Sequence, residues 1–408
     1  MDAVEQKILA AVDAQRETLL AFAQDIGAHA EPGFFETRTA ARVAELLRGC
    51  GLSPQTGLAR TGVKAVLQGG APGPCAAVIG ELDGILCPAH PAANPENGVA
   101  HACGHNAQLT ALVGAALALS AHGVAEALSG SVAFFAVPAE EYVPIGTRQA
   151  LQKQGVEFCC GKSELLRTGG FDGVDLALTT HVHMIPCESD LLLGNVACNG
   201  FTSKTVVFHG KAAHAATAPH AGVNALNAAA LALNAVGLLR ETFRECDTVR
   251  IHTNIREGGA ALNVVPETVV MEAMVRAATL EALDDAARKF DRACTHAAEA
   301  LGAHAEILTY QGYMPVRPAP ADPALLAAAA ALPGLSRHGR GQGLYRSRQD
   351  DGSDGLSSAE GRRGAGAPDN GRIHPRVHTG KLYRNSKEAG LMAQRICFLG
   401  RGGSGKST

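Results

Sequence analysis

The sequence predicts an α/β protein: a mostly parallel sheet flanked by helices, with a second, α+β unit attached. Two observations carry that prediction. Through the first half of the chain, short apolar runs of strand length alternate with helical periodicities, the pattern of buried strands covered on both faces. Past Gly200 the pattern changes to several strand-like runs and two long helical ones, which reads as an α+β module.

The elements follow in order. Ile8, Leu9, Val12, Leu19, Leu20, Phe22 and Ile26 recur at helical spacing, and residues 37–47 read as a second helix. Residues 63–67 and 76–79 are strand-length apolar runs. Residues 106–121 are apolar almost all round, the mark of a buried helix. Residues 132–137 and 174–180 are further strands. In the second unit, 205–209, 248–254 and 268–275 read as strands, and 223–239 and 280–301 as helices.

The composition bounds the function. A chain of 408 residues suggests two or three domain-sized units. With 46% hydrophobic and 18% charged residues it can bury a core. A net charge of −3 lacks the basic face of a nucleic-acid binder. No apolar run is long enough to span a bilayer, and the acidic, amphipathic start does not read as a signal peptide. We therefore expect a cytoplasmic protein with no nucleic-acid or membrane partner. Its eleven cysteines are then expected to be reduced thiols, one or two of them catalytic or metal-bound.

Four clusters carry the chemistry. HACGHN places Cys103 and His105 two apart where a loop enters a buried helix. Thiolate and imidazole both suit Zn²⁺ or a related ion, although a small buried cysteine beside loop histidines reads equally well. VPAEEY sets Glu140 and Glu141 at the carboxyl end of a strand, where open α/β sheets build their sites. One could bind a metal while the other serves as general base; alone, the pair also reads as a solvated turn. THVH sets His181 and His183 just past a strand, otherwise a pair of ordinary loop histidines. ELDG sets Asp83 after a strand, otherwise a plain Asp-Gly turn. Four sets of metal-type residues in such places together point to a metal site.

In order and rough spacing, GELDG, HACGHN, VPAEE, the strand-end histidine, GKAAHAATAPHAGVNALNAA and NVVP resemble the aminoacylase/carboxypeptidase-like metallohydrolases. The branch resembled includes aminobenzoyl-glutamate hydrolase, indole-acetyl-amino-acid hydrolase and N-acyl-amino-acid deacylases. The resemblance implies a catalytic domain over residues 1–197, an inserted lid and dimerisation domain over 198–312, and a second catalytic part over 313–391. It implies a homodimer and two divalent ions, Zn²⁺ or Mn²⁺ with Co²⁺ also open. Cys103, His105, Glu141 and His181 would be ligands, with His183 the alternative at the strand end. Glu140 would be the general base. Other branches carry a histidine where Glu81 stands, so Asp83 is assigned to orienting a ligand from behind. On the lid, His214 would stabilise the tetrahedral oxyanion, often in the partner's site, while Asn263 and Arg276 would hold substrate. The implied reaction is metal-dependent cleavage of the amide bond of an N-acyl amino acid, dipeptide or related small amide.

The chain departs from that pattern near its end. Residues 336–376 are almost devoid of apolar residues, so they are either a long exposed loop or diverged or degraded sequence. HTGKLYRNSKEAG resembles the family's closing segment, which makes His378 the expected last ligand. A catalytically impaired member that still binds metal is the alternative this stretch raises. In the tail, 392–408, GRGGSGKS satisfies the phosphate-loop pattern, but that motif needs a following helix. We expect a tail there rather than a nucleotide site.

Overall fold

A computed structural model describes residues 2–183, 191–194, 197–316 and 396–402. Eight helices and thirteen strands lie among them. The chain opens with α1 (Ala3–Ala14), whose start is closed by Asp2 and Glu5 in a reciprocal capping box. The helical periodicity then breaks at Gln15, and α2 (Arg16–Ala28) follows as a separate helix. Next come α3 (Thr37–Gly49), β1 (Gln55–Leu58), β2 (Gly62–Gln68) and β3 (Ala71–Glu81). The small pair β4 (Ile85–Leu86) and β5 (Val99–Ala100) precedes α4 (His105–Leu119) and β6 (Ser129–Val137). Two short helices, α5 (Ile145–Gln152) and α6 (Gly161–Arg167), lead to β7 (Leu176–His183) and β8 (Leu191–Gly194).

These strands and β13 (Ile396–Gly402) form a seven-stranded sheet in the order β1-β2-β6-β3-β7-β13-β8. The central pairings β6–β3, β3–β7 and β7–β13 are parallel, and the outer ones are antiparallel, so the sheet is mixed. Helices α2, α3 and α4 pack Leu19, Phe22, Ile26, Val43, Leu47, Leu109 and Leu112 against one face. On the other, Phe135 and Val137 meet Leu165, Phe171 and Val174. The all-round apolarity of α4 matches its position: eight of its fifteen residues are buried. Its entry turns on Gly104, with φ +77; a Cβ there would lie 2.6 Å from the Val182 side chain, so no other residue fits.

The second unit contains β9 (Gly200–His209), α7 (Ala225–Leu238), β10 (Arg250–Glu257), β11 (Thr268–Ala277), α8 (Leu280–Ala300) and β12 (His304–Gln311). Its sheet, ordered β10-β11-β9-β12, is antiparallel throughout. Alternate residues of β11 are buried against the two helices. Asn224 caps α7 by accepting from Leu226 N and Asn227 N, and Thr279 caps α8 through Ala282 N. Among the described residues, no helix is long and apolar enough to cross a membrane. His378 and residues 336–376 lie outside the described residues. Of GRGGSGKS, only Gly400, Arg401 and Gly402 lie within them, at the end of β13.

Candidate metal centre

Four chain segments converge beside α4, three of them at strand carboxyl ends. His105 is the first residue of α4 and is buried. Asp83 follows β3, Glu140 and Glu141 follow β6, and His181 lies near the end of β7. Parallel strands put these ends side by side, which is why residues far apart in the chain meet.

Hydrogen bonds fix the tautomers. The His105 Nδ1–H donates to the Asp83 backbone carbonyl at 2.7 Å, so Nε2 faces the cluster. That Nε2 lies 3.0 Å from Glu81 Oε2 and 3.9 Å from both Glu140 Oε2 and Glu141 Oε1. His181 likewise donates from Nδ1, to the Val182 carbonyl at 2.8 Å, which leaves Nε2 as its acceptor. Its ring centroid is 5.9 Å from that of His105. Two groups of ligand atoms result, each within 4.8 Å: Glu81, His105 and His181, and His105, Glu140 and Glu141.

The donor set fits a divalent cation. Asp83 Oδ1 and Glu141 Oε1 are buried without a hydrogen-bond partner, and Glu81 Oε2 and His105 Nε2, 3.0 Å apart, have only each other. Buried acceptors of this kind are costly unless something positive completes them. Imidazoles and carboxylates are ligand types that Zn²⁺ and Mn²⁺ accept.

The electrostatics point the same way. Burial alone would lower the His105 pKa, but the Glu81 and Asp83 carboxylates raise it well above the usual imidazole value. A field that strong would also favour a cation. Burial, then the Glu81 charge, pushes Glu140 up to about 7, while Lys162 and His105 pull the other way. Glu81 is held low despite its burial, by the Lys162 ammonium paired with its other oxygen and by His105. His101, whose ring is 6.4 Å from that of His105, is held down to about 4 by burial and by His105.

Cys103 is half-buried in the loop before α4 and lies outside both groups of ligand atoms. Burial, a hydrogen bond to Glu141 and the surrounding carboxylates push its thiol up to about 12. Asp83 contacts two members of the cluster: its backbone carbonyl accepts from His105 Nδ1, and its Oδ2 accepts the Glu141 N–H at 2.8 Å. The side chain of His183 is outside the described residues.

The remaining predicted residues are on the second unit. His214 is exposed and pairs with Val264 in an isolated bridge. Its Nδ1 accepts from Ala216 N and Thr217 N, both at 3.2 Å, so its proton sits on Nε2. Asn263 is brought beside it, its carbonyl accepting from Ala215 N at 3.0 Å. Arg276, at the far end of β11, lies over the Phe201 ring at 5.9 Å.

Two cluster members escaped the sequence reading. Glu81 was legible as an acidic residue beside Asp83, yet the resemblance turned it into a missing histidine. Lys162 comes from the short helix α6, which carries no chemical signature. Gly161, just before it, is obligatory, because a Cβ there would lie 1.7 Å from the Pro138 carbonyl oxygen.

Residues 196–301 match the peptidase dimerisation domain of the M20 family. The chain is 33% identical over 210 residues to human Xaa-Arg dipeptidase, across 52% of this chain and 43% of that one. It is 30% identical to a p-aminobenzoyl-glutamate hydrolase polypeptide of Escherichia coli K12, across 65% of this chain and 52% of that one. The chain thus spans about half the length of these curated relatives. A dinuclear metal-binding peptidase of the M20 family from Bacillus subtilis shares the fold, with a TM-score of 0.56 and 21% identity over 78% of this chain and 79% of that one.

Proposed function

We propose that the chain is a metallohydrolase of the M20 type, a metal-dependent amidohydrolase acting on an N-acyl amino acid, dipeptide or related small amide, a reading supported by the match of its second unit to the peptidase dimerisation domain. The observation that carries the reading is the buried His105 Nε2. It faces Glu81, Glu140, Glu141 and His181, with its ring locked by the Asp83 carbonyl. In this reading Cys103, His105, Glu141 and His181 hold divalent metal, two ions in all, with His378 as a further ligand. Zn²⁺ suits the thiolate and imidazoles, and the carboxylates keep Mn²⁺ in the set.

What a bound divalent ion adds is Lewis acidity, which activates water and polarises an amide carbonyl. The protein does the rest. Glu140 takes the proton of the attacking water and hands it to the leaving nitrogen. A carboxyl titrating at about 7 can do both near neutral pH. Asp83 holds the Glu141 backbone and the His105 ring, so two ligands share one support. The His214 Nε2–H donates to the oxyanion as the carbonyl carbon becomes tetrahedral. In this reading Asn263 orients the substrate amide and the Arg276 guanidinium grips a substrate carboxylate.

The match to a peptidase dimerisation domain supports a homodimer, with His214 serving its own site or its partner's. A cytoplasmic location completes the reading, in keeping with the nine described cysteines being free thiols. Metal analysis of the purified chain, followed by hydrolysis assays on N-acetyl amino acids, p-aminobenzoyl-glutamate and Xaa-Arg dipeptides, tests it. Bound metal with turnover that stops on chelation and returns with Zn²⁺ or Mn²⁺ is the expected result. Bound metal without turnover on any of these amides would overturn the hydrolase reading in favour of an impaired family member.

A further inference from the structure

Glu36 is wholly buried, and its carboxyl group makes no capping hydrogen bond to its own helix. It occupies the N-cap position of α3, where a carboxylate ordinarily accepts from the first free backbone N–H groups. Here Glu31 does that work. Its two oxygens accept from Arg38 N at 3.0 Å and Thr39 N at 2.8 Å, as well as from the Thr39 hydroxyl. The Glu36 side chain is thereby free to reach across the sequence. Its Oε1 accepts the Ala139 N–H at 2.7 Å, and its Oε2 accepts the Thr61 hydroxyl at 2.5 Å.

Ala139 is the residue immediately before Glu140, and its backbone is left-handed, with φ +46. A residue with a Cβ keeps that conformation only where its surroundings impose it. Three contacts do so. Glu36 holds the Ala139 N–H, and Gly161 N donates to the Ala139 carbonyl at 3.0 Å. Gly33 packs so closely that a Cβ there would lie 3.0 Å from the Ala139 Cα. Glu141 has its own holder, Asp83. The two adjacent glutamates are therefore aimed by two different buried carboxyl groups.

We propose that Glu36 is the positioning residue of the general base: through the Ala139 N–H it sets the left-handed turn that aims Glu140 into the site. The proposal rests on the reading of Glu140 as the base, and the experiment keeps the two apart. Full-length Glu36→Ala, Glu36→Asp and Glu36→Gln would each be loaded with Zn²⁺. Deuterium uptake over residues 138–143 reports the grip on Ala139 directly, whether or not a substrate is known. The kcat and KM on the amide that the wild type cleaves best report the aim of the base.

Glu36→Ala and the shorter Glu36→Asp are expected to speed exchange in that segment and to lower kcat about 10–100-fold, as misplacement of a catalytic group does. KM and zinc content should stay within about threefold of wild type in both. Glu36→Gln keeps an oxygen for Ala139 and can donate its amide hydrogen to Thr61, so it should restore both readouts. Should Glu36→Ala not fold, Glu36→Asp against Glu36→Gln decides the matter. Wild-type exchange and kcat in the Asp variant would overturn the proposal. So would equal losses in the Asp and Gln variants accompanied by zinc loss, which is what a general structural role would give. A wild type that binds zinc but cleaves nothing defeats the hydrolase reading, and the exchange data then decide the grip alone.

Discussion

The two units solve opposite problems. The first gathers Glu36, Glu81, Asp83 and His105 in its interior, each buried and several with an atom lacking a partner. The second fills its interior with Val206, Phe208, Met271, Val275, Phe290 and a run of alanines, and leaves His214, Asn263 and Arg276 on its surface. In the first, chemistry is bought with stability. In the second, small side chains let α7 and α8 approach closely, through Ala225, Ala228, Ala229 and Ala232 on one helix and Ala282, Ala286, Ala297 and Ala298 on the other. A buried polar cluster specifies a reaction, whereas a tight apolar core specifies a rigid support.

Glu140→Gln breaks the comparison most sharply. Turnover should fall about 10²–10⁴-fold, as expected for loss of a general base, with metal content retained. Its melting temperature should hold or rise, since a carboxyl that neighbouring carboxylates repel is gone. Kinetics, metal analysis and a thermal melt on one sample check both halves, and unchanged turnover would remove Glu140 from the role.

Phe290→Ala is the mirror experiment. Phe290 is fully buried in the second core, and truncation should cost about 3–5 kcal/mol of stability. Denaturant titration measures that, and metal content in the folded protein should not change. Loss of metal would mean that the two units are not as separate as their cores suggest.

The smallest effect is a pH slope. Burial, with the Asp83 charge adding to it, raises Glu36 to about 8 from an ordinary value of 4.5. Such a group binds more protons folded than unfolded, so its stabilising contribution is complete below about 4.5 and is lost as pH rises through 8. Relative to Glu36→Gln, which cannot titrate, the wild type should lose stability between about pH 5 and 8, by no more than about 1.4 kcal/mol per pH unit. Parallel melting curves for the two proteins would count against that protonation state.

The chemical words of the site were legible because each is compact: HACGHN, AEE and ELDG place their metal-type side chains within a few residues, at strand or helix ends. The long helix α8 was legible from its period alone, and its observed span, Leu280–Ala300, ends one residue short of the reading. What stayed hidden depended on long-range geometry. Lys162 meets Glu81 across 81 positions and Glu36 meets Ala139 across 103, and no local pattern announces either. The short helices α5 and α6 have too few residues to display a period. The break at Gln15 was hidden for another reason, since apolar spacing runs on across it while the backbone does not.

A modest pairing joins the two ends of the second unit to each other. Cys198 and Val316 exchange backbone hydrogen bonds at 3.1 and 3.0 Å, and Phe201 N donates to the Tyr313 carbonyl at 2.9 Å. The strands that enter and leave the second unit therefore run side by side. Once that unit has folded, its ends are already neighbours, and the chain on either side experiences it as a tight turn. A flexible loop of on the order of a hundred residues would add about 3–4 kcal/mol of closure entropy compared with a two-residue turn. The first unit is largely spared that penalty, because the insertion brings its own clasp.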